Sequence, residues 1–418
     1  MKFKWVILFL LMPLLCQSQN NRIDSLTKAL ASLTDSGSVD CLNKLSAEYY
    51  INALAETYYN VHTDAAVSYA KLAYNQAVKI RYNKGIAEAL QNLGEIARDR
   101  GYFADAENYF HQSIPLFKKI QALEKYSWAN ITLGWCLHMQ CKFSEAKLSY
   151  ERAMPYYIYT DNKERQSMLL RLTSYTYSIR GYNEKAFEHM LQAIKLTFKI
   201  KDVRGVVSSP ENMGILYKDA GEPEKALVYF RLAAQNARTI KQPVRYYRLM
   251  GDICVLTSQP DSAIYYYRES HKFVEQVTSD TIIRKRDLAN ESVSIGEVYL
   301  KQQKYHQAIE QLKQSLQFFE KGNNRNVIMR VLRGLARCYQ MQQNIPLSFL
   351  YAKQLFATAQ ETGSRPFLRD AYELYWNLYD RQGKTDSAYK YNLKFIAIKD
   401  SILRDEYLRN IALSEMKC

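Results

Sequence analysis

The stretch Leu93-Gly94-Glu95-Ile96-Ala97-Arg98-Asp99-Arg100-Gly101-Tyr102-Phe103-Ala104-Asp105-Ala106-Glu107-Asn108-Tyr109-Phe110-His111-Gln112-Ser113 decides the fold. Ala106, Phe110 and Ser113 stand at offsets 0, +4 and +7, which is one face of an α-helix. A small residue, a large one and a second small one let two helices approach closely while the ring fills the gap. Gly94, twelve residues before Ala106, reads as the mating face of a preceding helix. Gly101 falls where the chain must reverse, and glycine accepts a positive φ without steric cost. The unit is therefore a helix, a tight turn and a second, antiparallel helix.

The pattern recurs. The small residue at offset 0 returns as Ala66, Ala106, Ala146, Ala186, Ala226, Ala263, Ala308, Ser348 and Ala388, mostly in steps of 40 residues. Four residues on stand Phe110, Tyr150, Met190, Phe230, Tyr267 and Leu312. Twelve residues back stand Gly94, Gly134, Ser174, Gly214, Gly251, Gly296 and Ala336. Tyr177, Tyr217, Tyr299, Tyr339 and Tyr379 follow a similar column, and Gly101, Gly181, Gly221 and Gly383 mark the turns. One such hairpin cannot bury its apolar face alone, whereas stacked hairpins bury a continuous core. The expectation is an all-α, right-handed superhelical solenoid of about nine hairpins with a 40-residue period. Residues 19–46 would form N-terminal capping helices, 47–399 the solenoid and 400–418 a C-terminal helix.

Leu93-Gly94, Ala97, Gly101-Tyr102, Ala106, Phe110 and Ser113 resemble a tetratricopeptide repeat (TPR), as do Gly134 through Ala153 and Gly214 through Ala233. The ordinary repeat has 34 residues. The extra residues here imply longer helices. The flanks, Asn21-Arg22-Ile23-Asp24-Ser25-Leu26 and Ile398-Lys399-Asp400-Ser401, are similar to those of the exported TPR portions of bacterial membrane-bound sensor histidine kinases and LuxR-like regulators. That resemblance implies a sensory module. It leaves open a truncated sensor or regulator lacking its output domain, and an envelope assembly scaffold.

Composition agrees with an extended helical array. The 418 residues are 47% hydrophobic and 24% charged, which excludes a disordered chain, and only 15 are Gly and 9 Pro, too few for an all-β fold. Tyr, at 34, is twice as frequent as Phe, at 16, which suits many small interfaces between helices. Lys2 and Lys4 precede an apolar run from Trp5 to Leu15, too short for a membrane span and suited to a signal-peptide core. Cleavage is expected after Ser18, making residues 1–18 a signal peptide. Lipidation at Cys16 is the alternative, and Leu15 is larger than a lipobox prefers. Export to the periplasm or envelope changes the meaning of the +15 formal charge. Nucleic acid gives way to anionic glycans, lipid headgroups, acidic peptides or an envelope or membrane protein as the partner. The cysteines are scattered, and the reading is of small buried hydrophobes rather than a disulfide framework.

No spacing suggests catalysis, a cofactor or a metal. His62, His111, His138, His189, His271 and His306 form no metal-spaced pair, and there is no HExxH, GxSxG, Walker or GxGxxG motif. The expectation is a non-enzymatic protein that binds a peptide or protein. In a stacked hairpin array the first helix of each unit lines the concave side. Groove-facing residues should stand three before, one after and four after the small residue. That register selects Ile131, Trp135 and His138, with Trp128 one turn back, then Arg171 and Tyr175. It goes on to Arg245 and Arg248, and to the stripe Arg330, Arg333 and Arg337. The implied groove has an aromatic end and a guanidinium end, residue types enriched at binding hot spots and suited to carboxylates. The competing reading is that the rings pack between units and the arginines are balanced by Asp and Glu on neighbouring helices.

Overall fold

In the computed structural model, which describes residues 22–55, 63–203, 205–277 and 280–415, the hairpin unit has a simple arithmetic. Helices α4 (Asn83–Asp99), α5 (Phe103–Lys119), α6 (Leu123–Met139), α7 (Phe143–Tyr159) and α8 (Lys163–Ile179) have 17 residues each. Three-residue turns separate them, which accounts for the 40-residue period and for the excess over an ordinary repeat. Before them lie α1 (22–30), α2 (Asp35–Ala55) and α3 (Thr63–Lys79). After them come α9 (Asn183–Ile200), α10 (Gly205–Asp219), α11 (Pro223–Thr239), α12 (Pro243–Leu256) and α13 (Pro260–Val277). The array continues through α14 (Thr281–Lys301), α15 (Tyr305–Gly322), α16 (Arg325–Met341), α17 (Ile345–Thr362), α18 (Arg365–Arg381) and α19 (Thr385–Glu415). The described residues contain no strand, and the fold is the expected all-α solenoid. The irregular steps in the period have a local origin. Helix α12 is shortened to 14 residues, and α14 is lengthened to 21.

Turn chemistry is more regular than the glycines suggested. Gly101, Gly181, Gly221 and Gly383 adopt positive φ, as expected. Cys141, Ser258, Gln303 and Gln343 take the same slot in the other hairpins at φ of 58–61°. Among the described residues a second left-handed residue joins one hairpin to the next at Arg81, Gln121, Asp161, Lys201, Lys241, Asn323 and Gly363. The hydrogen bonds are those of a helix stop, with Arg81 N–H on the Val78 carbonyl at 3.2 Å and Tyr82 N–H on that of Ala77 at 2.8 Å. Sequence reading found only the glycines because side chains tolerate this conformation at a modest cost when the helix ends demand it.

The small-residue column is a set of sockets. A Cβ added to Gly94 would lie 2.9 Å from the Phe110 ring, and one on Gly134 would lie 2.4 Å from Tyr150. Gly214 stands in the same relation to Phe230, Gly251 to Tyr267 and Gly296 to Leu312. Where serine fills a slot, its hydroxyl bonds the facing backbone. Ser174 Oγ donates to the Ala186 carbonyl at 2.5 Å and Ser348 Oγ to that of Ala336 at 2.8 Å. The cysteines Cys41, Cys136, Cys141, Cys254 and Cys338 are buried among these contacts.

Packing groups the chain into two compact units, Met1–Leu133 with Glu275–Arg284, and Gly134–Val274 with Lys285–Cys418. In the first, Ile23 of α1 packs with Cys41 and Leu45 of α2, covering that end of the stack. Asp280 accepts from Arg100 at 3.0 Å, bonds Thr63, and caps the N–H groups of Ile282 and Ile283 at 2.8 Å. In the second unit, hairpins far apart in sequence meet. Cys141, Phe143 and Ile179 share one apolar cluster with Met329, Leu332, Phe367 and Leu374. Ser364 Oγ donates to the Ile179 carbonyl at 2.9 Å and Arg365 Nε to that of Arg180 at 3.1 Å, contacts spanning 185 residues. No helix among the described residues is long and apolar enough to cross a membrane.

The sockets predict opposite outcomes for one substitution at two sites. Gly37→Ala on α2, whose added Cβ meets only Leu33 at 3.4 Å, should raise stability by up to about 1 kcal/mol. Gly134→Ala should lower it by about 1–3 kcal/mol through overpacking against Tyr150. Urea denaturation followed by circular dichroism checks both.

Candidate functional site

The residues selected by the groove register divide between the two units. In the first, Ile131 is 3% exposed and cannot face a groove, since its apolar side chain is sealed within the stack. Trp128 is half-buried, and its indole N–H donates to Glu95 Oε1 at 2.7 Å.

In the second unit the expected aromatic end is closed by the protein itself. His138 is fully buried, with Trp135 stacked on it at 5.8 Å between ring centroids, Tyr175 at 4.5 Å and the edge of Phe143 at 5.6 Å. His138 Nδ1 bonds Thr176 Oγ1 at 2.9 Å, while Nε2 has no hydrogen-bond partner. Burial pushes the imidazole down to about 3, so it is neutral at ordinary pH. Tyr175 accepts a hydrogen bond at 3.1 Å from Asn326, 151 residues away on α16. His138 is therefore a core residue, not a ligand-facing one.

Arg171 is a second correction. It is buried, and its Nη1 reaches Ser167 at 3.2 Å, Thr197 and Ser209 at 3.4 Å, and Asp202 at 3.5 Å. The guanidinium ties α8 to the end of α9 and the start of α10. Burial depresses its proton affinity, with Asp202 opposing.

The other arginines form a ladder of ion pairs between first helices. Arg245 bonds Glu211 through Nε at 2.7 Å and Arg248 reaches its other oxygen at 2.5 Å. Arg330 Nη2 meets Glu297 at 2.7 Å, Arg333 bridges Glu297 at 3.3 Å and Asp370 at 3.0 Å, and Arg337 meets Glu373 at 2.8 Å. These pairs join residues 33 to 37 positions apart, about one period less a turn or two. The five arginine side chains remain 28–42% exposed. Burial alone would raise the Glu297 carboxyl, but Arg330 and Arg333 hold it down at about 2. Burial raises Asp252, with Lys218 and Arg248 opposing. The guanidinium row is thus real and reachable but not a surplus of positive charge.

Sequence reasoning missed the acidic half. Glu211 stands three before Gly214, and Asp252 and Glu297 stand one after Gly251 and Gly296. The same register that picked the arginines, run through α10, α12 and α14, selects them. The burial of His138 and Arg171 escaped the register because their covers lie largely on other helices, Phe143 of α7 and Tyr175 of α8 on the first and Thr197 of α9 and Ser209 of α10 on the second.

The tetratricopeptide-repeat family model matches residues 85–158 and 288–361. The fold is similar to that of a Rap conjugation gene regulator of the plasmid pLS20 solved in complex with the Phr* peptide. That likeness has a TM-score of 0.57 at 13% identity and covers 82% of this chain and 96% of that one. A Rap protein complexed with Competence and Sporulation Factor gives a TM-score of 0.54 at 13% identity, covering 87% and 99%. NprR in complex with its cognate peptide NprX gives 0.50 at 14% identity, covering 70% and 82%. Likenesses at such identities speak to fold alone. No curated protein matches the sequence.

A neutral, buried His138 has a measurable signature. Its folded affinity for a proton lies below the ordinary value of 6.5, so the unfolded chain binds more protons between pH 6.5 and 3. Stability should be lost as pH falls through that window, and His138→Gln should make the loss shallower. In NMR titrations the His138 ring signals should stay flat from pH 8 to 5.

Proposed function

Because the chain is a tetratricopeptide-repeat protein, we propose that it is an exported, non-enzymatic binder of a peptide or protein segment, serving as the sensing part of an envelope system. The observation that carries this reading is the half-exposed Arg–carboxylate ladder on α10, α12, α14, α16 and α18. Arg248 directs Nη2 to Glu211, and Arg337 directs Nη2 to Glu373. Each guanidinium keeps further N–H donors for a ligand carbonyl or carboxylate. Lys218 is exposed on the same register and acts electrostatically on Asp252 and Glu297.

Pairing shapes what such a wall prefers. Cations and acids nearly balance, so it does not demand a strongly acidic ligand. An extended peptide, which offers carbonyls, N–H groups and a terminal carboxylate, can insert among the pairs and complete their hydrogen bonds. The Rap regulator solved with Phr* and NprR solved with NprX share the fold, which is in keeping with a peptide in such a scaffold. Export rests on the Lys2-to-Ser18 segment, which lies outside the described residues.

Two experiments test the reading. Selection of a random peptide library on the purified chain should enrich a sequence family. The doubly substituted Arg248→Gln/Arg337→Gln protein should lose that family at least tenfold while its unfolding midpoint shifts little, since half-exposed pairs contribute about 0–1 kcal/mol each. No enrichment, or enrichment that ignores the arginines, removes the ladder as the binding surface. For export, mass spectrometry of the chain recovered from the envelope fraction should show an N-terminus at Gln19. An intact Met1 recovered from the cytoplasm contradicts it.

A further inference from the structure

A cleft of about 550 Å³ opens beside α13, between its Asp261–Lys272 stretch and the Tyr299–Gln307 turn from α14 to α15. Its volume lies in the range of small-ligand sites. We propose that it binds a carboxylate or phosphate group carried on a small apolar body. The reading is independent of the ladder on the first helices.

The charge accounting of the cleft points to an anion. Its two acids are already engaged. Glu269 pairs with Lys272 at 2.6 Å, and Asp261 accepts from Gln302 Nε2 at 2.8 Å. Asp261, held by a neutral amide, keeps its charge, so the three cations Arg268, Lys272 and Lys304 exceed the two acids by one, and neither Arg268 nor Lys304 has a carboxylate within ion-pair distance among the described residues. Arg268 Nη2 donates to Tyr299 Oη at 3.1 Å, which fixes the fork and leaves its other N–H groups to the cleft. Lys304 Nζ sits 6.0 Å from the centroid of the same ring. One buried tyrosine thus positions two cations, and a fixed fork beside an ammonium is suited to an oxyanion. This differs from the ladder, where every arginine faces at least one carboxylate.

The rest of the lining is suited to an apolar body. Ile264 and Tyr299 are buried beneath the cleft, and Tyr265, in edge contact with Tyr266, is 57% exposed beside it and presents aromatic surface to a ligand. Gln307 adds one polar side chain.

Calorimetric titration of the full chain with inorganic phosphate, phenyl phosphate and benzoate tests the proposal. Saturable binding of phenyl phosphate or benzoate, at least fivefold tighter than inorganic phosphate, is expected, and whichever aryl probe binds better identifies the anion. Arg268→Gln should weaken it at least tenfold and Lys304→Gln about threefold, both with unchanged melting curves. Arg337→Gln, on the ladder, should leave it unchanged, which separates this site from the proposed peptide surface. Absence of saturable binding by all three probes overturns the proposal, as does a wild-type affinity in Arg268→Gln. Inorganic phosphate binding as tightly as phenyl phosphate overturns the apolar part.

Discussion

A ring seated against a residue with no side chain holds this architecture together. Phe110 on Gly94, Tyr150 on Gly134, Phe230 on Gly214 and Tyr267 on Gly251 repeat the same contact at a separation of sixteen residues. Each brings two helices closer than a Cβ would permit, and that closeness lets the serine variants reach the opposite backbone. Interiors this dense transmit a lesion to their neighbours rather than absorb it. The left-handed stops between most successive helices then keep the contact in register from one hairpin to the next.

Stacking alone would leave each hairpin touching only its neighbours. Within the larger unit the chain departs from that scheme. Residues of α7 and α8 share a core with α16, α17 and α18, and polar contacts such as Ser364 with Ile179 seal the join. One consequence is chemical. His138 becomes interior beneath the half-buried Trp135 and Tyr175, and the reachable polarity of the first helices concentrates in Arg–carboxylate pairs from α10 onward. A ladder of that kind offers directed hydrogen bonds without a strong net field, which favours geometric fit over bulk electrostatic attraction.

The fold was legible because its determinants are local and periodic. Ala106, Phe110 and Ser113 announce a helix face, and nine occurrences of the small residue announce the array. Helix length followed from the period. The surface was less legible, for two distinct reasons. The acids Glu211, Asp252 and Glu297 obey the same register as the arginines, so that information was present in the sequence. The covers of His138 and Arg171 come largely from other helices, Tyr175 over the first and Thr197 and Ser209 around the second, and no periodicity carries such information. Cys141, Ser258, Gln303 and Gln343 at positive φ show a further limit, because helix-end geometry overrode residue preference there.

The most direct measurement is a double-mutant cycle at one socket, with Gly214→Ala and Phe230→Leu made singly and together. Local stability of α10 and α11 would be read by native-state hydrogen exchange, which suits an array whose parts open separately. If the ring in the glycine slot sets the helix spacing, Gly214→Ala should cost at least about 1 kcal/mol less in the Phe230→Leu background than alone. Additive effects within about 0.5 kcal/mol would show that the spacing is set elsewhere.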